Sequence, residues 1–322
     1  MLPDPLDKAA ILPWEADFKF APARGDYPGI SIVLPIFNAG KFLEKTLRSL
    51  LCNDLTGIEI IVMDGGSTDN TAAILDHYRG YFSVCVSAPD NGQSDAINRG
   101  FKKASQPILY WLNGDDLLLP NVLTPVRARF AEPDKPDVVV GDAYMTELNL
   151  KPIHHFQFSS EKLRFEYLLD YAAHHLIQPS VFFTRRAWDT CGPVVEDMHY
   201  AMDADLFLAM SARFEMVHLP LDIAYSVYHE DCKTRGKRAE SITELALVQA
   251  WHGGMKQSKK TLEILVGMFN EVAAKASEKD DGESAQSSVC PHCKTNKMKL
   301  DAVNQRLKRK MQILLDSDLG QA

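Results

Sequence analysis

A cluster of amide and carboxylate side chains, Asn113-Gly114-Asp115-Asp116, follows directly after an apolar run, Ile108–Leu112. A rigid strand can aim such carboxylates at a hard cation such as Mg²⁺, which takes one or two protein carboxylates together with phosphate oxygens and water. The same tetrapeptide is also typical of a turn in which an aspartate caps the helix predicted over Leu117–Phe130. The residues alone leave both interpretations open.

Three more polar clusters follow other apolar runs: Pro35 with Asn38, the turn Asp64–Asp69, and the segment Asp90–Gln93. The carboxyl ends of parallel strands share one edge of an open sheet, and ligands bind at that edge. Glycines such as Gly65 let backbone amides approach an anion. We therefore predict a site for a polar ligand with phosphate groups, in which a cation offsets the repulsion between carboxylates and phosphates.

The elements that must position these clusters alternate between strands and helices. Buried strands are predicted at Ile30–Phe37, Ile58–Met63, Phe82–Val86, Ile108–Leu112 and Val138–Val140. Apolar residues at helical spacing predict helices over Lys41–Leu51, from the residue after Asp69 to Tyr78, and over Ser94–Lys103. This alternation predicts an α/β fold, a mostly parallel, Rossmann-like sheet flanked by helices. After residue 143 the pattern is mixed, with helices over Phe165–Tyr171 and Asp203–Phe214 and strands over Ser180–Phe183 and Ile223–Tyr228.

Three regions are predicted along the chain. Residues 1–28 form an N-terminal leader, residues 29–236 the α/β domain, and residues 237–322 a mainly helical C-terminal extension with a polar linker near 277–288. In that extension, Met298–Leu315 is basic and amphipathic, which fits either a packed helix, including one that pairs two copies of the chain, or a helix on an anionic membrane. Cys290 and Cys293 could supply half of a zinc site, but zinc takes four ligands and no second Cys/His pair lies nearby, so zinc binding by a single chain is not expected, and a site shared between two copies is left open.

Composition excludes several classes of protein. The net charge of −8 argues against a nucleic-acid binder, which needs a basic face. The start of the chain lacks the features of a signal peptide, and no apolar run reaches the ~18 residues of a membrane span, so a cytoplasmic location is expected, with peripheral association on the inner face of the membrane left open. A Gly-x-Gly-x-x-Gly turn after the first strand and a P-loop motif are both missing from the sequence, which argues against a dinucleotide-dependent oxidoreductase and a P-loop ATPase.

The ordered motifs from Gly29 to Lys233 resemble the inverting family 2 glycosyltransferases, which have the GT-A fold. The motifs are Ile32–Asn38, Ile60–Thr71, Asp90–Gly100, Tyr110–Asp116, Gln178–Phe183, Tyr200–Leu208 and Tyr225–His229 followed by Lys233. One of these motifs alone would be weak evidence for the resemblance, whereas the ordered set is strong evidence for it.

The resemblance implies a role for each matching residue on the donor side. Asp64 would hydrogen-bond the nucleotide base, often uracil, and Asp95 and Asn98 would contact the nucleotide sugar or the donor. The remaining residues implied to bind the nucleotide or the donor are Pro35, Phe37, Asn38, Gly65, Asn113, Gly114 and Lys233.

The resemblance also implies a metal site and a general base. Asp115 matches the metal-binding aspartate of the family's Asp-x-Asp motif, while the first position of that motif is Asn113, which supplies one charge fewer. His229 matches a late histidine that ligates the metal or touches the diphosphate, although a structural role remains open. Asp203 matches the general base, with a helix cap as the alternative and Asp205 close enough to compete.

The function that the resemblance implies is inverting transfer of a sugar. The donor would be a nucleoside diphosphate sugar, most often a UDP-sugar, the acceptor a hydroxyl of a glycan or lipid-linked saccharide, and the cofactor Mg²⁺ or Mn²⁺. Two alternatives stay open: a catalytically inactive scaffold that binds nucleotide sugars, which Asn113 keeps in play, and a sugar nucleotidyltransferase.

Overall fold

A computed structural model describes residues 2–19, 21–22, 25–230, 232 and 236–280, with side chains up to residue 271. The nine strands of one sheet are β1 (Ile30–Ile36), β2 (Ile58–Asp64), β3 (Val84–Ser87), β4 (Ile108–Trp111), β5 (Leu117–Leu118), β6 (Val138–Thr146), β7 (Pro152–Phe156), β8 (Val181–Thr184) and β9 (Met216–Val227). The helices are α1 (Leu43–Leu51), α2 (Thr71–His77), α3 (Gln93–Lys103), α4 (Leu123–Phe130), α5 (Phe165–Leu168), α6 (Tyr171–His174), α7 (Arg185–Cys191), α8 (Met202–Ser211), α9 (Arg238–Trp251) and α10 (Met255–Asp280).

The sheet has a parallel half and a mixed half. Its strand order is β3-β2-β1-β4-β8-β6-β9-β5, with β7 paired to β6. The four strands β3, β2, β1 and β4 run parallel, whereas β8 is antiparallel to both β4 and β6. The predicted α/β fold with C-terminal helices is therefore confirmed.

Helices cover both faces of the sheet because the strands bury both sets of alternating side chains. On β1, Ile32 and Leu34 belong to a core that includes residues of α1, α2 and α4, while Val33 points into a second core with α3, α7 and α8. At Gly100 of α3 an added Cβ would lie 2.4 Å from a methyl carbon of Val33, so glycine permits the close helix–strand contact.

Some predicted elements differ from the observed ones. The predicted helix over Leu117–Phe130 is a short strand, β5, followed by α4 from Leu123. Strand β9 is longer than predicted because it starts at Met216 and pairs in parallel with β6. The first residues of the predicted polar linker are helical, since α10 continues to Asp280.

The first of two compact units runs from Met1 to Gly267, and of the second unit, Met268–Ala322, the structure describes only the end of α10. The first unit includes the predicted leader and α9, and the predicted boundary at residue 236 stays a prediction. Lys233, Cys290, Cys293 and the segment Met298–Leu315 lie outside the described residues. Any zinc binding by the two cysteines lies outside them too, as do the membrane contact and the pairing of copies considered for the C-terminal segment.

Within the described part of the chain, no helix combines the length and the apolar composition needed to cross a membrane.

Candidate active site

A cavity of about 900 Å³ lies beyond the carboxyl ends of the central parallel strands. Its walls come from the loops after β1, β2 and β4, from the start of α8, from the end of β9 and from α9. Nine residues with predicted roles in the site line it: Pro35, Phe37, Asn38, Gly65, Asn113, Gly114, Asp115, Asp203 and His229.

The loop after β1 presents an aromatic ring on one wall of this cavity. Phe37 is 65% exposed although it follows a fully buried strand. Asn38 takes a left-handed conformation, with φ at 47°, and is tied to the turn after β2. Its side-chain oxygen accepts the Thr68 N–H at 2.9 Å, and its own N–H donates to the Ser67 hydroxyl at 2.8 Å. The exposed ring is thus available for stacking with a planar ligand.

Asp64, at the end of β2, is buried and does not line the cavity. Its carboxylate accepts hydrogen bonds from the backbone N–H and hydroxyl of Ser67 and from the hydroxyl of Ser87. These contacts hold the turn that carries Gly65 into the cavity wall. A direct contact between Asp64 and a base stays a prediction.

Asp95 and Asn98 on α3 also lie outside the cavity lining. The Asp95 carboxylate accepts the Asn91 N–H at 3.1 Å and lies 3.6 Å from Arg99. The buried Asn98 amide pairs with the backbone of Val194, donating to its oxygen at 3.0 Å and accepting from its nitrogen at 3.1 Å. Both residues support surrounding loops in this structure, and their contact with a donor stays a prediction.

Asn113 joins a network of amides and a carboxylate in the cavity wall. Its side-chain N–H₂ donates to the Asp116 carboxylate at 3.2 Å and to the Gln178 side-chain oxygen at 3.1 Å, and its oxygen accepts from Gln93 at 2.8 Å. Gln178 in turn donates to the Trp111 carbonyl at 2.9 Å. The donated hydrogen bonds explain why an amide, rather than a carboxylate, suits this position.

Asp116 is buried and accepts the Val227 N–H at 3.2 Å, which links the end of β4 to the end of β9. It does not cap a helix, because α4 begins only at Leu123, so the capping interpretation of this turn is wrong. Burial, reinforced by the neighbouring Asp115 charge, raises the pKa of Asp116 to about 8. Asp116 therefore acts as a buried link between these strand ends, whereas Asp115, which also lines the cavity, is more exposed.

Replacing Asn113 with aspartate is expected to lower the unfolding free energy by about 1–3 kcal/mol, because both donated hydrogen bonds are lost and a second carboxylate faces Asp116. Thermal unfolding without ligand measures the effect. Asn113→Ala, which removes the donors without adding charge, is the matched control and should lose less stability. An aspartate variant as stable as the wild type would contradict the role given to the amide.

Asp115 and His229 meet at the cavity floor. The Asp115 Oδ2 lies 3.0 Å from the His229 Nε2. The imidazole is 5% exposed and stacks on Phe42 with ring centroids 4.2 Å apart. Its other nitrogen, Nδ1, is buried without a hydrogen-bond partner among the described residues. Two elements distant in sequence thus hold a carboxylate and an imidazole in one fixed pair.

This pair fits the ligand chemistry of a divalent cation. Adjacent ligands of an octahedral ion with bonds of about 2.1 Å lie about 3 Å apart, which is the separation of the two atoms. The described residues that line the cavity include four aspartates and neither lysine nor arginine. A ligand with a diphosphate therefore needs a cation here, or one of the basic residues that the structure does not describe, such as Lys233.

Asp203 lies in the first turn of α8 and faces the cavity from another side. Burial raises the pKa of its carboxyl to about 6, and the hydrogen bond that Oδ1 accepts from the Ala204 N–H at 2.8 Å partly opposes this shift. A carboxylate with this pKa suits proton abstraction near neutral pH. Asp205 does not line the cavity, and its carboxylate lies 2.8 Å from the His252 ring nitrogen Nε2.

Helix α9 fixes the segment that leads into Asp203. The Glu244 carboxylate accepts backbone N–H groups of His199, Tyr200 and Ala201 at 2.6–3.1 Å. Ala201 is the residue before α8 and offers no side-chain cap, so Glu244 supplies both the acceptor and a negative charge at this helix start. With the His252–Asp205 contact, α9 holds α8 at two points.

Glu244→Ala is expected to lower kcat for the transfer that the resemblance implies by about 10–100-fold, because the N–H groups lose their acceptor and Asp203 shifts relative to the cavity. Steady-state kinetics together with nucleotide affinity checks this. The affinity should change by no more than about 2-fold, and the conservative Glu244→Gln should retain most of kcat. Glu240→Gln, at an exposed position of the same helix, is the control. A loss of nucleotide binding equal to the loss of kcat would indicate general unfolding instead.

Two residues of the observed site, Glu244 and Cys232, were not predicted from the sequence. Glu244 acts on backbone groups more than forty residues earlier, and no local pattern marks such a contact. Cys232 lines the cavity three residues after His229, and the His-x-x-Cys spacing was the signal that could have indicated it. Gln178, which stands in the quoted motifs, proves to be the partner of Asn113.

Comparison with known families agrees with this geometry. The model of glycosyl transferase family 2 matches residues 31–191, half of the chain. The chain belongs to this family and is a glycosyltransferase. It is 27% identical over 251 residues to an uncharacterized glycosyltransferase of Rickettsia typhi, covering 74% of this chain and 75% of that one. It is also 27% identical to the chondroitin synthase of Pasteurella multocida, over 63% of this chain and 21% of that one.

Solved structures show the same GT-A fold. Staphylococcus aureus TarS, residues 1–349 in complex with UDP, has a TM-score of 0.54 at 18% identity, covering 68% of this chain and 65% of that one. The mannosyltransferase PcManGT of Pyrobaculum calidifontis, in complex with GDP-Man and Mn²⁺, has a TM-score of 0.50 at 14% identity, covering 80% and 83%. At these identities the likeness is one of fold.

Proposed function

We propose that this glycosyltransferase is inverting and transfers a sugar from a UDP-sugar to a hydroxyl of a glycan or lipid-linked saccharide. The observation that carries the proposal is one cavity that brings together the Asp115–His229 pair and the half-buried carboxyl of Asp203. The two groups match the two needs of the reaction, a place for the leaving diphosphate and a base for the acceptor.

The donor nucleotide would lie against the loops after β1, β2 and β4. Phe37 offers a stacking surface, Pro35 and Asn38 shape the adjacent wall, and Gly65 and Gly114 let the backbone come close to the ligand. Complexes of TarS with UDP and with UDP-GlcNAc, which share the fold, support UDP as the nucleotide. Lys233 remains a candidate partner for the diphosphate.

Asp115 and His229 would hold the divalent cation, Mg²⁺ or Mn²⁺. When bound, the cation supplies positive charge to the departing diphosphate. The Mn²⁺ complex of the archaeal mannosyltransferase, a fold neighbour, supports a divalent metal. Phe42 and Asp116 act behind this pair, since one stacks on the imidazole and the other ties the Asp115 turn to β9.

Asp203 would take the proton of the acceptor hydroxyl. The acceptor oxygen then forms a bond to the anomeric carbon of the donor sugar, and the bond from that carbon to the diphosphate oxygen breaks on the opposite face. The electron pair leaves with the nucleoside diphosphate, the proton stays on Asp203, and the anomeric configuration is inverted.

The acceptor would approach past aromatic and imidazole side chains near Asp203, namely Tyr171, His175, His199 and Tyr200, all on the cavity wall. Burial and the Asp203 charge keep the pKa of Tyr171 well above its usual value, so its hydroxyl stays neutral. Such faces suit a saccharide, and the relatives named chondroitin synthase and hyaluronan synthase support a glycan acceptor.

Calorimetry with UDP, GDP and dTDP, each with and without Mn²⁺, tests the proposal. We expect UDP to bind in a metal-dependent manner, and NMR of the product from the matching donor to show the opposite anomer. A folded protein that binds none of the three nucleotides would contradict the proposal. Metal-dependent binding of GDP or dTDP alone would correct the nucleotide and leave the transferase.

A further inference from the structure

A cysteine stands beside the Asp115–His229 pair. Cys232 lines the cavity, and its sulfur, an Asp115 carboxylate oxygen and a His229 ring nitrogen all lie within 4.8 Å of one another. Two ligands on opposite sides of one ion, with bonds of about 2.1 and 2.3 Å, are about 4.4 Å apart. Three donor atoms no more than 4.8 Å apart, close to this span, can therefore surround a single cation after small side-chain rotations.

The backbone fixes the position of this sulfur. The His229 backbone N–H donates to the Cys232 sulfur at 3.2 Å, and the Cys232 thiol lies 3.5 Å from the Val227 carbonyl. These contacts hold the sulfur next to the residue that carries the imidazole.

We propose that Cys232 is a third protein ligand, so that the site is an Asp-His-Cys centre selective for borderline transition-metal ions over Mg²⁺. The inference rests on the proposed function and adds the identity of its cation. Mg²⁺ takes oxygen ligands, whereas imidazole and thiolate favour ions such as Co²⁺ and Zn²⁺. Three protein ligands leave coordination positions open for diphosphate oxygens and water.

The first test is spectroscopic. The full metal-free chain carrying Cys290→Ser and Cys293→Ser, which removes the other closely spaced cysteines, is titrated with Co²⁺ with and without UDP. We expect a near-ultraviolet charge-transfer band from a cobalt–thiolate bond, and we expect Cys232→Ser on this background to abolish it. Cys191→Ser is the matched control and should keep the band, because Cys191 does not line the cavity.

The second test is metal selectivity by calorimetry. Cys232→Ser is expected to weaken Co²⁺ and Cd²⁺ binding by at least about 10-fold while Mg²⁺ binding changes by less than about 2-fold. Cys232→Ala should behave like the serine variant, which separates loss of the ligand from a local packing effect.

The outcomes separate this inference from the proposed function. Metal binding that depends on Asp115 but shows no thiolate band, or a band that survives Cys232→Ser, overturns the sulfur ligand and leaves the donor site intact. Metal binding that is unaffected by Asp115→Asn overturns both the centre and the metal-assisted mechanism.

Discussion

Replacing Asp203 with asparagine is expected to lower kcat for sugar transfer by about 10²- to 10⁴-fold, the usual contribution of a general base. Asparagine retains the oxygen that accepts the Ala204 N–H, so the first turn of α8 should keep its geometry. Nucleotide affinity should therefore change by no more than about 2-fold. Steady-state kinetics and calorimetry on the same preparation separate the loss of chemistry from a loss of binding.

The wild-type pH profile should carry the signature of the same carboxyl. Burial raises the pKa of Asp203 to about 6, and a base must be ionised to accept a proton. The value of kcat/KM is therefore expected to be constant above about pH 7 and to fall about 10-fold per pH unit below about pH 6. The residual activity of Asp203→Asn should lack this inflection.

Stability should change in the opposite direction to activity. The unfolded carboxyl ionises near its ordinary pKa of about 3.9 and the folded one near 6, so the folded state loses stability as the pH rises through that window. Asp203→Asn removes this cost and is expected to gain about 1 kcal/mol at about pH 8, allowing for partial solvent exposure, and nothing below about pH 4. Thermal unfolding at the two pH values measures it.

Asp205 provides the matched control for the base, because it lies on the same helix but pairs with His252 outside the cavity. Asp205→Asn should keep the pH profile and lose at most the activity that follows from loosening α9. If Asp205→Asn, and not Asp203→Asn, abolished transfer, the base would be assigned to the wrong carboxylate.

The parallel half of the fold could be predicted because its strands are continuous β-branched and apolar runs. Strand β1 (Ile30–Ile36) is buried on both faces, and all of its residues except Ser31 are apolar. Strand β9 was predicted only over its last residues, since His218, Pro220 and Asp222 break the apolar pattern earlier in the strand. Leu117–Leu118 reads as the start of a helix, but it pairs with Tyr225 and Ala224, more than a hundred residues away. Periodicity cannot report such distant pairing.

In the candidate site, too, some residues could be predicted from the sequence and others could not. Residues at strand ends, such as Asn113 and Asp115, follow from the rule that ligands bind at the carboxyl edge of a parallel sheet. Glu244 and Cys232 owe their places to contacts between separate elements, and these contacts require the folded chain. The structure also explains why residue 113 is an asparagine, because its amide donates hydrogen bonds to Asp116 and Gln178. Neither the sequence motif nor the net charge of the motif reveals these contacts.

Replacing Asp115 with asparagine is expected to weaken UDP binding in the presence of Mn²⁺ by at least about 100-fold, because the cation loses a charged ligand beside His229. Without metal the effect of the substitution on UDP affinity should reverse. Asp115 then repels the diphosphate, so Asp115→Asn should bind UDP as tightly as the wild type or more tightly. Calorimetry in Mn²⁺ and in chelator measures both conditions on one variant.

The chain offers a matched control in a second carboxylate–imidazole pair, Asp222 and His155, which are 2.7 Å apart and do not line the cavity. Asp222→Asn should leave UDP binding unchanged in both conditions. A loss of affinity for Asp115→Asn that is equal with and without metal would mean that the carboxylate binds the nucleotide directly. The cavity would then have to neutralise the diphosphate through basic residues such as Lys233, and the Asp115–His229 pair would serve to hold β9 against the end of β4.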